Sequence, residues 1–474
     1  MASVSFALGR RPSVQPRQWQ SRLIQLLRAR LAQTCSEGHD VLIHAGPGAG
    51  KTLGALLGVE QLLREGRLQR FVVFCHRTAI ARQWIQAAAR VELELAEWGS
   101  GSSAQGLLLS YQTAALHRDR LLKQLQAWGP VPWLAIADEV HHLGLDPQEP
   151  DTAAWGQAFS SLSRSAALRL GLTGTPFRAD QLAFCAARQV QVRDGHALVW
   201  RIVPDLCVEP RQLIAAGDVR PLEFRFQDGW VDHAREATED AERSCLSAES
   251  RESWRARNLR RAIRLADSSS IAQRVLLQAC DRLEQVRQQH GGAGGLVIAR
   301  DIAHARRLAD LLNEQGENAQ LVHSLDPEAE QRLAAFQRGE GDWLVSIDMC
   351  SEGFDAPRIR VVAYLSTVVT RSRFVQAITR AVRLDGGREA HEPIPRHPSY
   401  VFAPADPRLI SHARSWSLSE PYLLRGRSTP AADGGGGGHW SAATPLAAVA
   451  DGAGSVITMN GPQLPTFVQQ PRPA

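Results

Sequence analysis

Lysine is almost absent from this chain. Of its 54 lysine and arginine residues, all but Lys51 and Lys123 are arginine. A sequence that otherwise uses arginine has kept lysine at 51, where a compact charge on a thin stem does something a planar guanidinium does not. Cysteine is sparse as well. The seven thiols, at 35, 75, 185, 207, 245, 280 and 350, form no CxxC pair and have no histidine at ligand spacing. That argues against a zinc site and fits free thiols in a reducing compartment best. No apolar run approaches a membrane span. Met1 to Pro16 is basic but has no apolar centre, so it does not read as a signal peptide. A cytoplasmic chain is expected. The charge balance is only mildly one-sided, with net charge +5 and pI about 9.0. This favours a polyanionic partner without requiring one. At 474 residues, 44% of them hydrophobic and 22% charged, the chain has room for two or three soluble domains with ample core.

What is present is organised around Ala45-Gly46-Pro47-Gly48-Ala49-Gly50-Lys51-Thr52. A short apolar run, Val41-Leu42-Ile43, precedes it, and an Ala/Leu-rich helical pattern, Leu53 to Leu63, follows. Strand, glycine-rich loop and helix in that order make a phosphate cradle. Small residues let backbone N–H groups close around a polyphosphate, and the helix N-terminus adds its positive end. The pattern assigns Gly46, Gly48, Ala49 and Gly50 to the cradle, Lys51 to the β- and γ-phosphates and Thr52 to Mg²⁺.

Along the chain, apolar runs alternate with helical patterns. Strands are expected at Arg70 to Cys75, around Leu107 to Leu109, at Trp133 to Ala137 and at Leu168 to Leu172, with polar clusters directly after them. Alternation of this kind predicts parallel sheets, and ligand crevices form at the carboxyl ends of such strands. Asp138-Glu139 follows one strand: the first carboxylate is placed to hold Mg²⁺ and the second to activate water. Upstream, Trp19, Leu23, Ile24, Leu26, Leu27 and Leu31 recur at helical spacing, on a helix that carries Gln18 and Gln20 and either covers the sheet edge or sets an aromatic and a glutamine near the adenine. Residues 1–200 therefore read as a first α/β domain. Residues 201–290 read as an inter-domain crossing and charged helical segment, in which the basic run from Arg255 to Arg264 is either a solvated face or a phosphate contact. Residues 291–424 form a second α/β domain without a cradle of its own. After 425, Gly434 to Gly438 and a proline-rich end have no sustained period, and a disordered tail is expected over 425–474.

With these residues in view, the chain resembles a superfamily 2 helicase of the DEAD/DEAH-box type, nearest to the DExH subset. AGPGAGKT at 45–52 looks like motif I, HRTAIARQW at 76–84 like motif Ia, and SYQTA at 110–114 like motif Ib. DEVH at 138–141 looks like motif II, LTGTPFR at 172–178 like motif III, MCSEGFDAP at 349–357 like motif V, and QAITRAVR at 376–383 like motif VI. The resemblance implies two tandem RecA-like domains with ATP and Mg²⁺ between them. It implies Lys51, Asp138, Glu139, Arg380 and Arg383 as catalytic residues, with the two arginines neutralising charge on the γ-phosphate. Gln20, Gly353, Asp355 and Gln376 join the nucleotide site. Thr173 and Thr175 would couple hydrolysis to closure. Arg77, Thr78, Tyr111, Gln112, Thr113 and Arg300 would touch nucleic acid. Thr379 stands where the family has glycine. DNA is expected over RNA, by analogy with the DEVH and SEGFDAP forms. A nucleic-acid-stimulated ATPase switch within a restriction or phage-defence complex is the reading from a different class.

Overall fold

A computed structural model describes residues 14–32, 39–76, 78–100, 104–143, 152–174, 189–194, 197–235, 238–265, 270–347, 354–384, 392–416, 423–424, 444–450 and 456–460. The chain divides into two units, with the change near Val208. In the first, strands β1 (Asp40–Ala45), β2 (Arg70–Cys75), β3 (Leu95–Glu97), β4 (Gly106–Ser110), β5 (Trp133–Ala137) and β6 (Leu168–Thr173) alternate with helices. These include α1 (Gln18–Ala32), α2 (Lys51–Arg64) and α3 (Thr78–Arg90). After the hairpin of β7 (Gln189–Asp194) and β8 (Ala197–Ile202) comes β9 (Leu206–Val208). The main sheet has seven strands in the order β3-β4-β2-β5-β6-β1-β9, all pairs parallel. Its central strands are buried along their length, which is why they read as unbroken apolar runs.

Helix α2 presents Gly54 and Gly58 to α1. A Cβ on Gly54 would stand 2.8 Å from the Trp19 ring, and one on Gly58 would stand 2.8 Å from Leu27 Cδ1. The missing side chains let α1 settle close enough to bring Gln20 to the cradle. Asp205 ties the same region together: it accepts from Arg30 (2.9 Å) and from the Leu42 backbone N–H (2.8 Å).

The second unit contains β10 (Leu222–Gln227), β11 (Gly229–Arg235), β12 (Thr238–Cys245), β13 (Gly294–Ala299), β14 (Ala319–Val322), β15 (Trp343–Ser346), β16 (Ile359–Leu365) and β17 (Ser399–Pro404). The short β18 (Leu423–Leu424) belongs to the first unit and pairs with its β8. Strands β19 (Thr444–Ala450) and β20 (Val456–Asn460) belong to the second unit. Its main sheet runs β14-β15-β13-β16-β17-β10-β20, parallel except for β20.

Two expectations are corrected here. Residues 201–290 are not a separate helical crossing. Leu206–Val208 is the edge strand of the first sheet, Leu222–Gln227 is an inner strand of the second, and β11 and β12 form an antiparallel pair. The helices Glu252–Ala262 and Ile271–Arg287 do fall within this stretch. Nor is the whole of 425–474 a tail: β19 pairs with β11 and β20 with β10. Both are short strands between glycine-rich stretches, and their apolar residues become informative only once a partner strand is in place.

Candidate nucleotide site

The cradle lies at the carboxyl end of β1. Gly48 and Gly50 have φ of +77° and +78°, a left-handed conformation that strains any residue with a Cβ. Gly50 is the N-cap of α2, with no side chain capping the helix, so the first turn's N–H groups are left for an anion. Gln20, buried on α1, donates from Nε2 to the Gly50 carbonyl (3.1 Å) and accepts from the Arg17 backbone N–H (2.8 Å). The glutamine expected at the nucleotide is therefore held against the loop itself.

Asp138 and Glu139 follow β5. Asp138 is buried; its Oδ2 accepts from Trp84 Nε1 (2.8 Å) and its Oδ1 from the Glu139 backbone N–H (3.0 Å). Its pKa is pushed up to about 6, first by burial and then by the Glu139 charge, against the pull of Trp84, Lys51 and the backbone. Glu139 sits at φ +48°, a conformation that costs a non-glycine residue about 1–3 kcal/mol. That turn aims the carboxylate back over the sheet. One oxygen lies 3.6 Å from Lys51 Nζ and the other accepts from the Gly174 N–H at 3.2 Å. Lys51 Nζ also donates to the Ala45 carbonyl (3.4 Å). Residues expected from three separate stretches, 45–52, 138–139 and 172–174, thus converge at the ends of β1, β5 and β6.

These residues fit a nucleotide and a divalent cation. The glycine loop puts backbone N–H groups at a helix N-terminus, and beside it stand two adjacent carboxylates, Asp138 buried and Glu139 3.6 Å from Lys51 Nζ. Cys75, close by, is pushed up to about 12 by burial and by Asp138, so it is not a nucleophile.

One assigned contact is corrected. Tyr111 is fully buried; its hydroxyl donates to the Asp138 carbonyl (2.7 Å) and its ring stacks near Trp155. It braces the carboxyl end of β5 and has no surface to offer a nucleic acid. An apolar ring next to polar Gln112 and Thr113 reads as exposed until the packing of β4 is known. Of its neighbours, Gln112 is exposed, while Thr113 is engaged in the Ser110 helix cap (2.9 Å to its backbone N–H). Arg300 donates to Asp301 (2.6 Å) at the end of β13. Arg77, Thr175 and Gly353 lie outside the described residues, as does the Thr78 side chain. Trp84 carried no assignment from sequence, although it closes the HRTAIARQW stretch. His142 ends the short 3-10 turn Val140–His142, and its ring stacks on His76 at 4.2 Å.

In the second unit the two arginines of 376–383 meet the 354–355 stretch. Arg380 is buried and donates to the Phe354 carbonyl (2.6 Å), and Arg383 pairs with Asp355 (2.6 Å). Thr379 is accommodated because its buried hydroxyl bonds back to the Val375 carbonyl (2.6 Å). Gln376 is half-buried on the same helix, Arg371–Ile378. The basic run is partly structural: Arg255 is buried against Asp406 and Glu252.

Residues 13–178 match the family model of the type III restriction enzyme res subunit, and residues 277–385 match that of the helicase conserved C-terminal domain. The chain belongs to the superfamily 2 helicases. An uncharacterized protein of Mycobacterium tuberculosis (strain CDC 1551 / Oshkosh) is 32% identical over 420 residues, covering 86% of this helicase-family chain and 64% of the relative. One from Mycobacterium leprae is 31% identical over 411 residues, covering 84% and 64%. The chain thus spans less than two thirds of the length of these relatives. Among solved structures, the ATP-dependent type ISP restriction-modification enzyme LlaBIII superposes with TM-score 0.51 at 13% identity, over 82% of this chain and 28% of that one. The likeness is one of fold: two parallel-sheet α/β units, the architecture of tandem RecA-like domains. No helix among the described residues is long and apolar enough to cross a membrane.

Proposed function

We propose that this chain is an ATP-dependent helicase or translocase acting on DNA. The observation that carries the reading is the convergence of Lys51, Glu139 and the Gly174 N–H on one point beside the cradle. Lys51 and the N–H groups of Gly48, Ala49 and Gly50 bind and orient the phosphates of ATP, while the Gly46 N–H donates to the Val208 carbonyl (3.0 Å) and Gly46 serves by its lack of a side chain; Thr52 and Asp138 would hold Mg²⁺. The cation supplies charge to the phosphate oxygens. Glu139, fixed by the Gly174 N–H, takes the proton of the attacking water, and Gln20 keeps the loop closed around the nucleotide. Arg380 and Arg383 supply the remaining positive charge, with Asp355, Gly353 and Gln376 linking them to the nucleotide. Arg77, Thr78, Gln112, Thr113 and Arg300 contact the strand, mostly at phosphates, which makes binding salt-sensitive and weakly sequence-dependent. DNA is favoured over RNA because the LlaBIII structure of similar fold is bound to DNA.

The test is ATP turnover against a panel of single- and double-stranded DNA and RNA, followed by strand displacement on whichever stimulates. Stimulation by DNA is expected, and absence of stimulation by any nucleic acid overturns the reading. Glu139→Gln is expected to keep ATP binding and lose at least about a hundredfold in turnover; unchanged turnover removes Glu139 from the mechanism. A second reading, an ATPase switch within a restriction assembly, is favoured by the res-subunit match. It predicts stimulation without strand displacement.

A further inference from the structure

Arg383 lies beyond the end of its helix. The helical ladder stops at Ile378, and the backbone of 379–382 is a succession of turns held by short local bonds such as Ala381 N–H to Ile378 O. Nothing in that local pattern orients residues 382 and 383. The orientation comes from a residue 163 positions earlier in the chain. Arg220 donates its backbone N–H to the Val382 carbonyl (2.8 Å), and its side-chain Nη1 to the Arg383 carbonyl (2.5 Å). The same Nη1 lies 3.4 Å from the Pro357 carbonyl, at the end of the 349–357 stretch. Nε and Nη2 turn the other way, onto the two carboxylate oxygens of Glu392 (3.5 and 3.2 Å).

The side chain of Arg220 is completely buried. A guanidinium does not shed its proton, so an arginine in that position is tolerable only with its charge paired and its N–H groups bonded. Glu392 provides the charge, and two backbone carbonyls use the other face of the fork. A lysine has neither the planar fork nor the reach to serve both sides together. Every partner belongs to the second unit, so the arrangement is a property of that unit alone.

We propose that Arg220 is a positioning residue for Arg383: it clamps the carbonyls of 382 and 383 and so fixes the backbone from which the Arg383 guanidinium projects. This rests on the reading of Arg383 as a donor of charge to the γ-phosphate.

The test is a double-mutant cycle in DNA-stimulated ATP turnover, using Arg220→Met, Arg383→Ala and the pair. Arg220→Met is expected to lower kcat about tenfold or more, with KM for ATP within about twofold. In the Arg383→Ala background it is expected to have no further effect, because the residue it positions is gone. Independent, multiplying losses in the double variant overturn the proposal, as does an effect confined to KM. If Arg220→Met does not give folded protein by thermal melting, Arg220→Lys enters the same cycle with the same criteria, since it keeps a cation beside Glu392. The underlying reading fails separately: if Arg383→Ala alone leaves kcat unchanged, Arg383 does not serve the γ-phosphate, whatever Arg220 does.

Discussion

At the scale of single residues, the site is governed by how Asp138 is held. Its carboxyl is raised to about 6 chiefly by burial, and the neighbouring Glu139 adds to the shift. A protonated carboxyl is a poor ligand for Mg²⁺, so kcat/KM is expected to fall on the acid side through about pH 6 rather than about pH 4, measured as a pH–rate profile. The sign for stability is opposite. A folded-state value above the unfolded one means this carboxyl's contribution is fully present below the unfolded value and lost as pH rises through about 6. Trp84 is the indole donor to this group. Trp84→Phe removes a hydrogen bond to the ionised form while keeping most of the ring volume. It should move the acid limb of the profile to higher pH and cost about 1–3 kcal/mol in a chemical melt; an unmoved limb would mean Trp84 only fills space.

At the scale of elements, the packing of α1 on α2 decides whether Gln20 reaches the cradle. Alanine in place of Gly54 would raise helix propensity by about 1 kcal/mol. The added Cβ, however, would meet Trp19 at 2.8 Å and Gln20 Cγ at 3.1 Å, inside a buried contact. Overpacking of that kind costs about 1–3 kcal/mol, so the steric effect wins. Gly54→Ala is expected to lower Tm and to raise KM for ATP, because Gln20 is pushed along with the ring. A change in Tm with KM untouched would show that the Gln20–Gly50 bond does not contribute to nucleotide binding. The α1 periodicity is open to reading from sequence, whereas the spacing leaves Gln20 equally placed for a covering helix or for the cradle. The reason for the glycines is not legible there, because it lies in a neighbour some thirty residues away.

At the scale of the whole molecule, the late strands β19 and β20 are part of the second unit. Removing residues 444–474 takes away β19 and β20 and leaves β10 and β11 with open backbone edges. The truncated protein is expected to lose cooperative unfolding of the second unit and to aggregate more readily. The first unit, whose main sheet contains no strand from that region, should still bind a fluorescent ATP analogue. Unaltered melting would mean these strands add nothing to stability. The low-complexity composition around Gly434 to Gly438 pointed to a tail, and composition has no means of reporting a partner strand two hundred residues upstream.

Much of this protein was determined by local sequence. The cradle needs glycine at positive φ, the acids need the end of an apolar strand, and both demands are written within eight or ten residues. The order of the motifs then carried the family and the two parallel sheets. Tertiary structure alone decided what depends on distant partners: that Tyr111 faces inward to brace Asp138, that Trp84 holds its carboxylate, that β9 and β10 complete different sheets, and that Arg220 seats Arg383. The hydrogen bonds among them join residues from about 27 to more than 150 positions apart, and no local pattern encodes a hydrogen bond whose acceptor, carbonyl or carboxylate, lies on a distant element of the fold.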